Sequence, residues 1–332
     1  MSEPARPSLI RPATPINRRS ALIGTAGLLA QPALVELLHA KPLPPAPTVW
    51  PQALQVPGGV ARLSLGPAAT RPVAQVRQGD VDVPLRVVGD AIEWTAIVGI
   101  PLAAAPGDAF ITVLAEGGGS PRLVHYAVAP KQYKEQHLKV SPRTVDLSPE
   151  DQARYERERD HQAQVMATFT EQPAGVALPS LRMRVPVPGR RSSSFGLRRV
   201  FNGQPRNPHS GMDIAAATGT PIVAAAGGVV VFAGWHAAYG HMVEVDHGND
   251  LVTRYAHASQ LHAKQGDLVR RGQKIANVGN TGRSTGAHLH FEVLVAGVPQ
   301  DPQKFLDAGK LAAQPQEARA GPATRVASGP RR

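Results

Sequence analysis

Short runs of alternating apolar and polar residues, interrupted by turn-forming residues, extend along most of the chain. Because side chains alternate across a β-strand, this period-two pattern predicts strands rather than long helices. One hairpin is predicted around residues 78–80, and a second across the Gly-rich stretch of AFITVLAEGGGSPRLVHYAVAP. A third is predicted in VEVDHGNDLVTRY, with its turn at 247–250. The chain is therefore predicted to be mainly β.

The character of the sequence changes along the chain and predicts separate regions. Residues 49–130 predict a small accessory β-sandwich of immunoglobulin-like type, and residues 181–306 predict a second β-domain rich in Gly and β-branched runs. The connector 131–180 contains SPEDQARYERERDHQAQVMATF, which predicts a charged connecting helix because Ser148 can cap it. The tail 307–332 is rich in Ala, Pro, Gly and Arg, and predicts disorder.

The N-terminal segment 1–40 predicts an export signal. Paired Arg18 and Arg19 precede a weakly apolar stretch that ends at LHA, just before the Pro-rich linker 41–48. This layout is typical of a secretory signal peptide, and the paired arginines resemble a twin-arginine signal. The apolar run is short and interrupted for a membrane span, while cleavage and a transient membrane contact through this segment stay open. The predicted location is the periplasm of a Gram-negative bacterium.

Composition narrows the partners and the metal chemistry. The formal net charge is +11 at pH 7, and the 332 residues include no cysteine. A basic protein suits an anionic polymer such as a cell wall, a membrane face or nucleic acid. Without thiolates, a metal site must use His, Asp or Glu. Eight of the twelve histidines fall between positions 209 and 290, which raises the expectation of a metal site there.

Two segments contain candidate metal-binding side chains. A strand over HLHFEVLV would place His288 and His290 on one face and Leu289 on the other, although two histidines on a solvated strand are the alternative. In HSGMDIAAATGTPI, a turn leading into a strand would aim His209 and Asp213 at one point, with the intervening glycine allowing the backbone to curl. Three N/O ligands plus a water are the arrangement of catalytic zinc.

In this order, HSGMD, YAHAS and GAHLHFEV resemble the motifs of the lysostaphin-type zinc endopeptidases, which cut peptidoglycan peptides. The resemblance covers about residues 181–303, a little over a third of the chain. It implies an antiparallel β-sheet domain with a Zn²⁺ ion at the floor of a groove. By position, the implied metal ligands are His209, Asp213 and His290, and the implied catalytic residues are His288 and His257.

The resemblance also implies different roles for the histidines. His288 falls on the family's general base, and His257 falls on the histidine that orients water or stabilises the oxyanion. His241 is a departure, because the family commonly has Asn there, and this changes the expected substrate contacts. The histidines that match no role, and are expected at the surface or in turns, are His236, His247 and His262.

The implied function is zinc-dependent hydrolysis of peptidoglycan stem peptides or cross-links in cell-wall remodelling. A non-catalytic peptidoglycan-binding relative that activates a cell-wall amidase is the first alternative, but such relatives usually lack the metal ligands. GDLVRRGQKIANVG resembles biotinyl or lipoyl carrier hairpins, yet no Met-Lys-Met-like tip is present. A nucleic-acid binder would rest on charge alone, so nucleic acid is not an expected partner. The bond cut, the oligomeric state and the role of the N-terminal domain stay open.

Overall fold

The computed structural model describes residues 49–115, 119–139 and 181–307, together with positions 153 and 156. The predicted signal segment, the Pro-rich linker and the tail beyond residue 307 lie outside the described residues. Most of the predicted connecting helix also lies outside them, although Ala153 and Glu156 are helical. Within the described part of the chain, no helix has the length and apolarity needed to span a membrane.

The first half of the described chain contains seven strands in two packed sheets. They are β1 (Val60–Gly66), β2 (Ala74–Gln78), β3 (Val81–Pro84), β4 (Arg86–Gly89), β5 (Trp94–Gly99), β6 (Gly107–Val113) and β7 (Arg122–Val128). One sheet has the order β1-β5-β4 and the other β3-β2-β6-β7. Both predicted hairpins are present, as the antiparallel pairs β2–β3 and β6–β7. In an immunoglobulin sandwich, strand β2 would lie between β1 and β5. Here β2 pairs with β3 and β6, so the strand order differs from that of an immunoglobulin domain.

The second half is built on one ten-stranded sheet. A smaller sheet of three strands has the order β11-β10-β8, and the remaining strands belong to the large sheet. In chain order the strands are β8 (Glu135–Leu138), β9 (Arg190–Ser193), β10 (Arg198–Phe201), β11 (Gln204–Pro205), β12 (Met212–Ala215), β13 (Pro221–Val223), β14 (Gly228–His236), β15 (Gly240–Asp246), β16 (Leu251–Leu261), β17 (Leu268–Val269), β18 (Lys274–Val278), β19 (His288–Val295) and β20 (Val298–Gln300). The main path is β17-β14-β15-β16-β19-β12-β9, and a 3-10 helix, Pro302–Lys304, follows β20. The third predicted hairpin is β15–β16.

The two halves share an apolar core. Val60 and Ile97, from the first half, are fully buried in the cluster that contains Met183 and Phe305 of the second half. Burial of such side chains stabilises each by about 1.5–3 kcal/mol relative to exposure, so Val60 and Ile97 contribute to holding the two halves together. The domain boundaries proposed from the sequence stay predictions, but the described halves pack as one body.

A buried arginine also links the halves. Arg86 on β4 is 1% exposed, and its guanidinium donates hydrogen bonds to the carbonyl oxygens of His247 and Gly248 in the β15–β16 turn. Burial lowers the pKa of Arg86 to about 10, although the nearby negative charge of Asp246 works to raise it. The guanidinium is therefore still protonated at neutral pH, and it places a charge inside the junction.

His247 lies in the β15–β16 turn, as expected, but it is not at the surface, because the first half covers this turn. Its side chain is buried and contacts the Gly227 carbonyl oxygen at 2.7 Å and the Thr253 hydroxyl at 2.8 Å. Burial lowers the pKa of His247 to about 4, while the bond to Gly227 works in the opposite direction. An unfolded histidine titrates near 6.5, so the unfolded state binds more protons between pH 4 and 6.5.

We therefore expect acid to destabilise the protein through His247. Its contribution is complete above pH 6.5 and falls by up to about 3 kcal/mol as the pH drops through this window to 4. Burial raises the pKa of Asp250 to about 6, which has the opposite sign. The measurement is urea unfolding from pH 4 to pH 7 for the wild type and His247→Gln. The variant should show a flatter loss of stability in acid, and parallel curves would contradict the assignment.

Candidate metal centre

The structure brings the three predicted metal ligands together. Asp213 on β12 and His290 on β19 are directly opposite each other in the sheet, and His209 lies in the loop before β12. The Nε2 atom of His209 lies 3.0 Å from Asp213 Oδ1 and 3.1 Å from His290 Nδ1. The His290 Nδ1 atom lies 2.9 Å from the same Asp213 oxygen. Their role as metal ligands, as distinct from this convergence, stays a prediction.

The chemistry of these three donors fits a zinc ion. Ligand atoms bound tetrahedrally at 2.0–2.1 Å lie about 3.3 Å apart, close to the separations found here. The Nδ1–H of His209 donates to the Ser194 carbonyl oxygen at 2.9 Å, and the Nε2–H of His290 donates to Glu292 Oε1 at 2.8 Å. A carbonyl or carboxylate oxygen only accepts, so the other nitrogen of each ring keeps its lone pair toward Asp213. Such a cluster of acceptors needs a positive charge at its centre, which a metal ion or a proton can supply.

Electrostatics in the metal-free site point to the same need. Burial works to raise the pKa of Asp213, but hydrogen bonds with His209 and His290 outweigh it and hold this pKa far below its usual range. Burial works to lower the pKa of His290, yet the hydrogen bonds with Asp213 and Glu292 raise it to about 9. Near neutral pH, a proton therefore stabilises the acceptor cluster when no metal is bound. A metal ion must displace that proton, which makes its affinity dependent on pH.

Gly211 allows the two strands of the site to approach each other. A Cβ atom at this position would lie 2.6 Å from the Phe291 carbonyl oxygen and 2.8 Å from His290 Cε1. The glycine is therefore required by close packing beneath the ligands, whereas the sequence had suggested a need for backbone curling.

Both predicted catalytic histidines face the donor set. The Nδ1–H of His288 donates to the Gly286 carbonyl oxygen at 2.8 Å, and its Nε2 lies 3.7 Å from Asp213 Oδ1. The Nδ1–H of His257 donates to the Thr281 carbonyl oxygen at 2.7 Å. The centroids of the His257 and His288 rings are 4.8 Å apart. Each neutral ring thus offers Nε2 as a proton acceptor.

His257 reaches the site through an unusual backbone conformation. Strand alternation from Tyr255, which is buried in the core, would direct His257 into the same core. Its φ of 61° lies in the left-handed region and redirects the side chain, at a cost of about 1–3 kcal/mol. Burial, followed by the positive charge of His290, lowers the pKa of His257 to about 4. The neutral ring accepts a hydrogen bond at Nε2, so donation to an oxyanion requires it to gain a proton first.

An open groove of about 550 Å³ contains the site. Arg199 and Arg283 line it beside the histidines, and no described residue of the range 49–139 does so. His236, expected at the surface or in a turn, is 4% exposed and lines the groove, because the β14–β15 turn folds over the sheet. His262 is exposed, as expected. His241 lies beside the groove, with its ring in edge contact with Trp235 at 5.0 Å.

A second layer of polar side chains behind the ligands escaped the sequence analysis. It contains Ser210, Tyr239, Glu244, Arg254 and Glu292. The period-two pattern could have placed Glu292 at the site, because this residue follows His288 and His290 on the same face of β19. Glu244 and Arg254 lie on the two strands of the predicted hairpin, whereas Ser210 and Tyr239 come from separate segments that no local pattern links.

Three converging donors at the floor of an open groove define a metalloenzyme-type site, since structural zinc sites close all four positions. Comparison with known families agrees with this class. The profile of Peptidase family M23 matches residues 207–302, and that of the Peptidase family M23 N-terminal domain matches residues 54–131. A crystal structure assigned to peptidase M23 from Pseudomonas aeruginosa is 33% identical, with a TM-score of 0.62. The alignment covers 77% of this chain and 96% of that one.

The chain therefore belongs to peptidase family M23, which confirms the lysostaphin-type resemblance. It is also similar to the peptidoglycan DD-endopeptidase ShyA of Vibrio cholerae, with 43% identity over 133 residues, 39% of this chain and 31% of ShyA. The DD-carboxypeptidase/endopeptidase Mpg of Neisseria meningitidis is 45% identical over 111 residues, 33% of this chain and 26% of Mpg. The chain thus matches less than a third of the length of either relative.

Proposed function

We propose that the protein is a zinc-dependent endopeptidase that hydrolyses peptide bonds of peptidoglycan, with cross-links as its substrate. The observation that carries this proposal is the convergence of His209, Asp213 and His290 beneath two imidazoles whose Nε2 atoms are free to accept protons. The activities for which ShyA and Mpg are named support the choice of substrate. The predicted export signal and the bacterial sources of these relatives support action in the periplasm.

The residues of the site suggest how hydrolysis would proceed. His209, Asp213 and His290 would hold a zinc ion, which would polarise the scissile carbonyl and make a bound water more acidic. His288 accepts the water's proton at Nε2 and delivers it to the departing amine, because its Nδ1–H is fixed by a carbonyl. His257 would accept a hydrogen bond from the attacking water at Nε2 and so orient that water, because its Nδ1–H is held by the Thr281 carbonyl oxygen.

The lining of the groove suits an anionic peptide. Arg199 and Arg283 contribute two guanidinium groups that can bind carboxylates on the stem peptides. The net charge of +11 favours association with an anionic wall. The open groove also admits a peptide that is still attached to a polymer.

The alternative function, activation of an amidase without catalysis, leaves the site unexplained. A binding protein needs neither three donors within 3.1 Å of one another nor two imidazoles with free Nε2 atoms beside them. Acceptor clusters of this kind are costly to bury unless a positive charge neutralises them, so their presence supports a metal site.

The decisive experiment measures metal content and muropeptide release together. The protein, incubated with purified sacculi, should contain about one zinc per chain and release products with cleaved peptide cross-links, identified by mass. Removal of the metal by a chelator should stop release, and added Zn²⁺ should restore it. Unchanged release by metal-free protein would overturn the mechanism, and a metal-loaded protein that releases nothing would favour the amidase activator.

A further inference from the structure

Three charged side chains form a row across the sheet behind the metal ligands. Glu244 on β15 lies opposite Arg254 on β16, which in turn lies opposite Glu292 on β19. Both glutamates are fully buried and Arg254 is 6% exposed. Arg254 Nε donates to Glu244 Oε1 at 2.6 Å, and Arg254 Nη1 donates to Glu292 Oε2. Buried charges are costly, and well-packed apolar residues often stabilise a fold as much or more. Their presence therefore calls for a role beyond stability.

Glu292 connects this row to the metal ligands. Its Oε1 atom accepts the Nε2–H of His290 at 2.8 Å. The hydroxyl groups of Ser210 and Tyr239 donate to the same oxygen, and Arg254 holds the other oxygen. Four donors from four different strands or loops thus fix the carboxylate. Because the carboxylate is fixed, the His290 ring is fixed too, with Nδ1 aimed at His209 and Asp213.

We propose that Glu292, anchored by Arg254, is a positioning residue for the metal. It sets the tautomer and the ring orientation of His290, so that the three donors converge before the ion arrives. The proposal rests on the proposed function in that a metal binds at these donors. Partners of this kind behind a ligating histidine typically change metal affinity 10- to 100-fold.

Glu244 is the matched control for Glu292. The two glutamates have the same charge and burial, and they bind the same guanidinium from neighbouring strands. Glu244 lies on the far side of Arg254 from His290, so replacing it removes a buried charge without touching a ligand. A purely structural role would leave the zinc affinity of the two folded variants equal.

The test compares zinc dissociation constants of the wild type, Glu292→Gln and Glu244→Gln, measured by competition with a chromophoric chelator. We expect Glu292→Gln to weaken zinc binding about 10- to 100-fold and Glu244→Gln to change it less than about 3-fold. Urea unfolding of the metal-free proteins measures the loss of stability in each variant separately from its zinc affinity. Equal zinc affinities in the two variants would overturn the positioning role.

A milder variant keeps the test valid if Glu292→Gln does not fold. Ser210→Ala removes one of the hydrogen bonds that hold Oε1 and keeps the carboxylate, so we expect zinc binding to weaken about 3- to 10-fold. Unchanged affinity in this variant would count against the inference. Zinc affinity is measured without peptidoglycan. A wild type that binds zinc tightly but cleaves nothing would therefore overturn the proposed function and leave the role of Glu292 standing.

Discussion

His288→Ala should reduce release of peptidoglycan fragments by about 10²- to 10⁴-fold, the usual contribution of a general base, while the protein keeps one zinc per chain. The His288 ring faces the donors, but its Nε2 is 3.7 Å from Asp213, farther than the ligand atoms are from one another. The substitution therefore removes a proton acceptor and leaves the three donors in place. The measurement pairs metal analysis with mass spectrometry of the released muropeptides.

His290→Ala and His262→Ala provide the comparison. His290→Ala should lose both zinc and hydrolysis, because it deletes one of three donors. His262 is exposed and lies outside the groove, so His262→Ala should change neither quantity. Loss of zinc in His288→Ala, with zinc kept in His290→Ala, would mean that the ligand and base roles are exchanged.

Arg86→Ala should cost about 3–5 kcal/mol of stability, the usual penalty for removing one partner of a buried charge arrangement. The alanine would leave two buried carbonyl oxygens, of His247 and Gly248, without the guanidinium that binds them. It would also remove the positive charge that faces Asp246. Because the residue joins the two halves, the loss should appear in both at once.

Single-tryptophan variants can follow the two halves separately. Trp94 lies in the first half and Trp235 in the second, so their fluorescence reports unfolding of each half in urea. Arg77→Ala is the control, since Arg77 is half-exposed and pairs with Asp82 at the surface, where such pairs contribute about 0–1 kcal/mol. If Trp94 and Trp235 report transitions at different urea concentrations in single-tryptophan variants that keep Arg86, the junction does not couple the halves.

Local periodicity predicted the parts of the site that lie within one strand. The alternation in HLHFEV placed His288 and His290 on one face, as β19 shows, and HSGMD does lead from a turn into a strand. The three hairpins follow from turn residues between alternating runs. In each case the information lies within a few neighbouring residues.

Three features were beyond local reasoning. Alternation would have turned His257 into the core, and only its left-handed backbone brings it to the site. The apolar pattern predicts that Val60 and Ile97 are buried, but it does not predict whether they face their own half or the other. Likewise, the Arg254 guanidinium could be placed between two glutamates only once the order β15-β16-β19 was known. These features depend on contacts between distant segments, which period and propensity do not encode.

The backbone N–H of Gln52 donates to the Lys304 carbonyl oxygen at 2.8 Å, so the described body starts and finishes at one place on its surface. Its first and last segments are therefore neighbours in space. Such a body tolerates circular permutation, and it can be carried as an insert in a surface loop of another protein. Any segment joined to either end is therefore attached at the same place on the surface of this body.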